Sequence, residues 1–119
     1  MNKLLIISVG LVLTGCVAHN LESMRERTPV ISADSAKTTQ AIGTCLAAAT
    51  DRLGIVSYLP SPNGATLAVQ VGDMYGRKSI TAGADIEDFG SRRHVTAWIF
   101  KTVWSKHNRH VIEGLRGCL

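Results

Sequence analysis

Residues 65–71 read Ala-Thr-Leu-Ala-Val-Gln-Val, and this stretch is the one from which the fold can be worked out. Its side chains alternate between two sides of an extended chain, with Leu67, Val69 and Val71 on one side and Thr66, Ala68 and Gln70 on the other. Turn signals stand on both sides, at residues 60–64 (Pro-Ser-Pro-Asn-Gly) and 72–77 (Gly-Asp-Met-Tyr-Gly-Arg). The stretch is therefore predicted to be a strand that pairs with its neighbours in sequence.

Three neighbouring segments also have strand character, at residues 55–59, 79–86 and 92–106. The second of these is expected to direct Ile80, Ala82, Ala84 and Ile86 toward the core. Because short turns join consecutive segments, the four strands are predicted to form an antiparallel meander.

Helical periodicity lies on both sides of the predicted strands. Ahead of them, apolar residues recur at helical spacing at Ile42, Cys45, Leu46, Ala49 and Leu53. Ser32, Asp34 or Ser35 can cap this helix, and Gly54 can end it; a shorter C-terminal helix can start at Asn108. The expected fold class is α+β, with two layers: a four-stranded antiparallel sheet and an N-terminal and a short C-terminal helix.

The N-terminus carries a targeting signal. A lysine at position 3 precedes an apolar run over residues 4–12, which is shorter than the roughly 20 residues of a membrane-spanning helix. Residues 1–15 are therefore predicted to be a signal peptide. Residues 16–33 show no sustained period and contain Pro29, so they are expected to form a flexible tether. Residues 34–119 are expected to form a single α+β domain.

Residues 13–16, Leu-Thr-Gly-Cys, resemble a bacterial lipobox. The resemblance implies cleavage before Cys16 and lipid attachment to its sulfur and new amino group; the alternative is an ordinary secreted protein with a coincidental cysteine. Once Cys16 carries lipid, Cys45 and Cys118 remain, and in an oxidising compartment such a pair is expected to form a disulfide.

The whole arrangement resembles small Gram-negative bacterial lipoproteins of uncharacterised function. The likeness rests on the lipobox, the helix segment Thr-Cys-Leu-Ala at residues 44–47 and the final Cys118-Leu119. Because Val17 and not an aspartate follows Cys16, the resemblance implies anchorage in the inner leaflet of the outer membrane, facing the periplasm. It implies no catalytic residue.

The charge is unevenly distributed, since residues 90–119 carry six cations and one acid while residues 17–89 carry six cations and eight acids. The last predicted strand places large aromatic residues on one side, near several of these cations. The candidate partner surface consists of Arg92, Arg93, Trp98, Phe100, Lys101 and Trp104. Either the aromatic side is open to a partner, or it belongs to the core; the basic end can equally be a solvated face.

The sequence shows no nucleophile motif and no metal-ligand spacing, so we assign no catalytic residue, cofactor or metal. The predicted function is that of a non-enzymatic binding or structural module acting on an envelope protein or an anionic glycolipid. Export excludes nucleic acid. The alternative is a periplasmic inhibitor of a lysozyme-type wall hydrolase, because residues 63–67 are similar to a loop of lipoprotein lysozyme inhibitors. The aromatic-rich motif of those inhibitors is missing.

Overall fold

The computed structural model describes residues 20–72, 74–100 and 106–119, and its architecture is α+β. These ranges contain helices α1 (Leu21–Arg25), α2 (Thr39–Thr50) and α3 (Lys106–Arg116), and strands β1 (Ile31–Ser35), β2 (Ile55–Ser61), β3 (Gly64–Gly72), β4 (Lys78–Asp88) and β5 (Arg93–Ile99). One turn of 3₁₀-helix, Asp51–Leu53, extends α2. The last predicted strand is shorter than expected, because β5 ends at Ile99 and α3 begins at Lys106.

The strands form one sheet in the order β1-β5-β4-β3-β2, and every neighbouring pair is antiparallel. Strands β2 to β5 are the predicted meander. The predicted number of four strands is wrong, because β1 pairs with β5 as a fifth strand at the edge. The polar residues of β1 suggested helix caps, but the residue that caps α2 is Thr38, whose hydroxyl accepts a hydrogen bond from the Ala41 amide at 3.1 Å.

The segment expected to be a tether, residues 16–33, contains α1 and the start of β1. A capping box closes the first turn of α1, in which the Asn20 side chain accepts from the Ser23 amide. Met24 is fully buried against the sheet, where Gly83 leaves room for it: a Cβ atom at position 83 would collide with the Met24 sulfur. Helices therefore cover both faces of the sheet. The predicted two-layer arrangement is incomplete because it lacks α1 on the second face.

The larger core lies between the other face of the sheet and helices α2 and α3. Its buried residues include Ile42 and Leu46 of α2, Leu115 of α3 and Val95 of β5. The predicted disulfide between Cys45 and Cys118 is confirmed, with a Cα–Cα distance of 5.5 Å. It closes a loop over a sequence separation of 73, for which chain entropy predicts a stabilisation of about 4 kcal/mol.

A β-bulge in β4 changes the face to which one predicted core residue belongs. Val69 pairs with Ala82, but Gln70 pairs with Ile80, so Thr81 is the extra residue. Ile80 consequently joins Met24 in a second, smaller cluster on the α1 face. The prediction that Ile80 shares a face with Ala84 and Ile86, which belong to the larger core, is therefore wrong.

Candidate functional site

An open groove of about 450 Å³ lies at the end of the sheet where β4 turns into β5. We call it the ionic groove. It is lined by Ser32, Ala33, Asp34, Glu87, Phe89, Arg92 and His94. These residues come from two segments that are far apart in sequence, the edge strand β1 and the β4–β5 hairpin.

Strand pairing brings the charged groups of the groove together. Asp34 of β1 and Glu87 of β4 are both register partners of His94 in β5. Directly paired residues of an antiparallel sheet project to the same face, so the three side chains form one row across the sheet. Ser32 precedes Asp34 by two residues and projects to that same face.

His94 links the two polar residues of β1. Its Nδ1 lies 2.7 Å from an Asp34 carboxylate oxygen, and its Nε2 lies 3.2 Å from the Ser32 hydroxyl. The second Asp34 oxygen accepts a hydrogen bond from the Arg92 guanidinium at 3.1 Å. The hydrogen bond with His94, followed by the charge of Arg92, lowers the pKa of Asp34 below its ordinary value.

The order Ser32–His94–Asp34 is that of a serine-hydrolase triad, which the sequence did not reveal. In such a triad a buried aspartate orients the histidine so that it can remove the serine proton. Here the Asp34 side chain is 48% exposed, and it also pairs with Arg92. A solvated carboxylate that is shared between the His94 ring and the Arg92 guanidinium orients the histidine weakly. The arrangement therefore fits a polar recognition surface better than an activated nucleophile.

The β4–β5 turn presents an aromatic ring beside these charges. The Asp88 carboxylate accepts a hydrogen bond from the Gly90 amide at 2.8 Å, and Gly90 has a positive φ of 86°. That amide is the largest cause of the lowered pKa of Asp88. Phe89 is 54% exposed, and the Arg92 guanidinium lies 5.1 Å from the centre of its ring. The groove thus combines an accessible apolar ring with both signs of charge.

The structure separates the residues of the predicted partner surface. Trp98 and Phe100 are buried beneath α1, so the interpretation of these aromatic residues as core is correct and the open aromatic patch is not formed by them. The Trp98 indole donates to the Arg27 carbonyl at 3.0 Å. Of the described members of this surface, Arg92 alone lines the groove, while Arg93 pairs with Asp88 at 3.2 Å. Residues outside the described part of the chain are Cys16, Lys101 and Trp104.

A signal for the groove was present in the sequence but was not specific. Ser32 and Asp34 are two residues apart, as side chains on one face of a strand must be, but this spacing is equally typical of a cap or turn. Their pairing with His94, about 60 residues later in the chain, depends on the register of β1.

Neither a metal cluster nor a membrane-spanning helix was found among the described residues. In the described ranges, no three His, Cys, Asp or Glu side chains are placed to hold one ion. None of the helices there is long and apolar enough to cross a bilayer. No protein-family model matches this chain, and no curated protein matches it.

Proposed function

We propose that this chain is a lipid-anchored lipoprotein of the bacterial envelope, whose domain binds another envelope protein through the ionic groove. The lipobox resemblance at residues 13–16 supports the anchor. Val17 in the position after Cys16, where an aspartate is absent, favours the inner leaflet of the outer membrane. The binding role is non-enzymatic. The observation that carries it is the composition of the groove, where an exposed aromatic ring lies among charged groups of both signs.

The charges of the groove favour a protein partner over an anionic glycolipid. A surface for phosphate groups needs cations that are available, but Arg92 is paired with Asp34. Glu87 is exposed and has no hydrogen-bond or ion-pair partner among the described residues, so its carboxylate would repel a phosphate. A protein segment that brings a cation to Glu87 and an apolar side chain to Phe89 complements the groove.

The inhibitor alternative lacks support from the fold. The segment that resembles an inhibitor loop runs into β3, where Ala65 and Leu67 are buried in the larger core. Within the segment, Asn63 in the turn at its start is exposed, and Thr66 is only half-buried. Side chains held in a central strand cannot enter the cleft of an enzyme, so the proposal does not extend to inhibition of a wall hydrolase.

Mass spectrometry of the mature protein tests the anchor. The N-terminal peptide of the chain purified from membranes is expected to start at Cys16 and to carry a diacylglyceryl group and an amide-linked acyl chain. The Cys16→Ala variant is expected to remain unprocessed. An unmodified Cys16 at the start of the mature chain, or cleavage at another position, would contradict the proposal.

Photocrosslinking in intact cells tests the groove. A photoreactive amino acid in place of Phe89 is expected to give a discrete adduct with one envelope protein, and Glu87→Lys should abolish that adduct by reversing the charge beside it. The control places the same amino acid at His110, which is exposed on α3. Equal adducts at both positions, or none at position 89, would refute binding through the groove.

A further inference from the structure

The opposite end of the sheet exposes apolar side chains. Met74 and Tyr75, in the β3–β4 connection, are 89% and 76% exposed, and Ile55 at the start of β2 is 77% exposed. Ile55 pairs with Gln70, so its side chain projects to the opposite face of the sheet from Val71, which is 41% exposed at the same end. We call Ile55, Val71, Met74 and Tyr75 the apolar tip. Single exposed apolar residues are ordinary, but several at one end of a small domain indicate a contact surface.

The chain enters the domain on the half of the sheet that lies nearer the apolar tip. Leu21 and Met24 of α1 pack in the smaller cluster with Ile80 and Phe100. Ile80 is two residues from Lys78, the first residue of β4 after the tip. The ionic groove lies beyond α1 on the other half of the same face.

The length of chain before α1 limits how far the anchor can be from this half of the sheet. Cys16 precedes Asn20, the N-cap of α1, by four residues. At full extension four residues span at most about 14 Å. Along β4, two residues from Ile80 to Lys78 cover about 7 Å, and the tip follows directly. An acyl group at Cys16 and the apolar tip can therefore reach the same membrane plane while α1 stays packed.

We propose that the apolar tip contacts the phospholipid bilayer that holds the acyl anchor. The inference rests on the proposed lipid attachment at Cys16. Methionine and tyrosine side chains suit the boundary between headgroups and acyl chains, since tyrosine buries its ring and keeps its hydroxyl in water. Lys78, exposed at the start of β4, is a cation that favours anionic headgroups. This orientation directs the ionic groove away from the membrane.

Depth-dependent fluorescence quenching tests this orientation. The mature acylated chain would be placed in vesicles of phosphatidylethanolamine and phosphatidylglycerol with doxyl-labelled phospholipid, as wild type, Met74→Trp and Phe89→Trp. Both substituted positions are exposed, so the two variants are matched probes of the two ends. We expect the tryptophan at position 74 to be quenched at least threefold more than the one at position 89, after subtraction of the wild-type signal. Its emission should also shift to shorter wavelength.

The outcomes separate this inference from the proposal on which it rests. If mass spectrometry shows the acyl groups on Cys16 but positions 74 and 89 are quenched equally, the orientation is wrong and the anchor stands. If Cys16 carries no lipid, both fail. A Met74→Ser/Tyr75→Ser double variant adds a check on the acylated protein. It should weaken the quenching of a tryptophan placed at Ile55, because the tip then loses its apolar contact with the bilayer.

Discussion

The two ends of the sheet expose different side chains, charged ones at the ionic groove and apolar ones at the apolar tip, although β4 reaches both ends. At the ionic groove, Arg92 and His94 both contact the carboxylate of Asp34, which lies on a neighbouring strand. At the apolar tip, by contrast, Met74 and Ile55 stand in solvent without a covering element in the described part of the chain. One small domain thus presents two separate surfaces. One is suited to a specific polar partner, and the other to a non-directional apolar contact.

Helix α1 marks the boundary between the two halves. Met24 fills the apolar side, and Arg25 reaches the polar side, where it donates to both oxygens of Asp85 at 2.7 and 2.9 Å. Burial raises the pKa of Asp85, but the hydrogen bonds from Arg25 and Thr66 and the charge of Arg25 bring the pKa below its ordinary value. Substitutions of residues that contact α1 therefore test whether this helix holds the two halves of the sheet as described.

The largest expected effect concerns the disulfide, which ties α2 to the C-terminal end of the chain after α3. The Cys45→Ser/Cys118→Ser variant should lose about 4 kcal/mol of unfolding free energy, because its unfolded chain is no longer constrained. Urea denaturation of the variant and the wild type measures this loss. Reduced wild-type protein serves as the control and should behave like the variant. An unchanged urea midpoint would contradict the expected contribution.

The second largest effect is expected from a substitution that disturbs the packing of α1 on the sheet. Gly83→Ala should destabilise the domain by about 1–3 kcal/mol, because the added Cβ collides with Met24. Trp98 should then emit at longer wavelength, since α1 covers it. The matched control is Gly114→Ala in α3, where the new Cβ would lie 3.6 Å from the Ala49 Cβ, an ordinary contact. The idea fails if the two alanine variants have the same stability and the same emission.

A third prediction concerns pH at the boundary. Because the folded state lowers the pKa of Asp85, its ion pair stabilises the protein fully above the ordinary carboxyl range, and the contribution is lost as the pH falls through the lowered value. Asp85→Asn should cost about 1 kcal/mol at pH 7, a figure reduced for the partial exposure of Arg25. The difference from wild type should shrink at pH 3 in urea titrations. An equal difference at both pH values would exclude the ion pair as its source.

The smallest expected effect lies in the groove itself. Ser32 should react with a fluorophosphonate probe no faster than Ser57, an exposed serine of β2, because the solvated Asp34 does not activate His94. Peptide mapping after labelling compares the two sites, and His94→Ala should leave both rates unchanged. Preferential labelling of Ser32 that disappears in His94→Ala would show an activated nucleophile and overturn the non-enzymatic part of the proposal.

Elements with a long local pattern were predictable, and those that depend on distant partners were not. The stripe of α2 and the alternation in β3 identified a helix and a strand that the structure contains. The five residues of β1 and the five of α1 are too short to display a period, and both owe their stability to tertiary contacts. For the same reason the groove could not be foreseen, because β1 supplies both Ser32 and Asp34.

By itself, the sequence determined the local structure: where the meander runs, where the two longer helices lie, and which helical stripe carries Cys45. Periodicity is enough to locate these elements because the apolar side of each helix or strand has to be buried in a core. Only the tertiary structure decided that Trp98 is buried, that Ile80 changes face and that Asp34 meets His94. These outcomes depend on strand register, a bulge and the docking of α1, which are set by contacts between residues far apart in the chain.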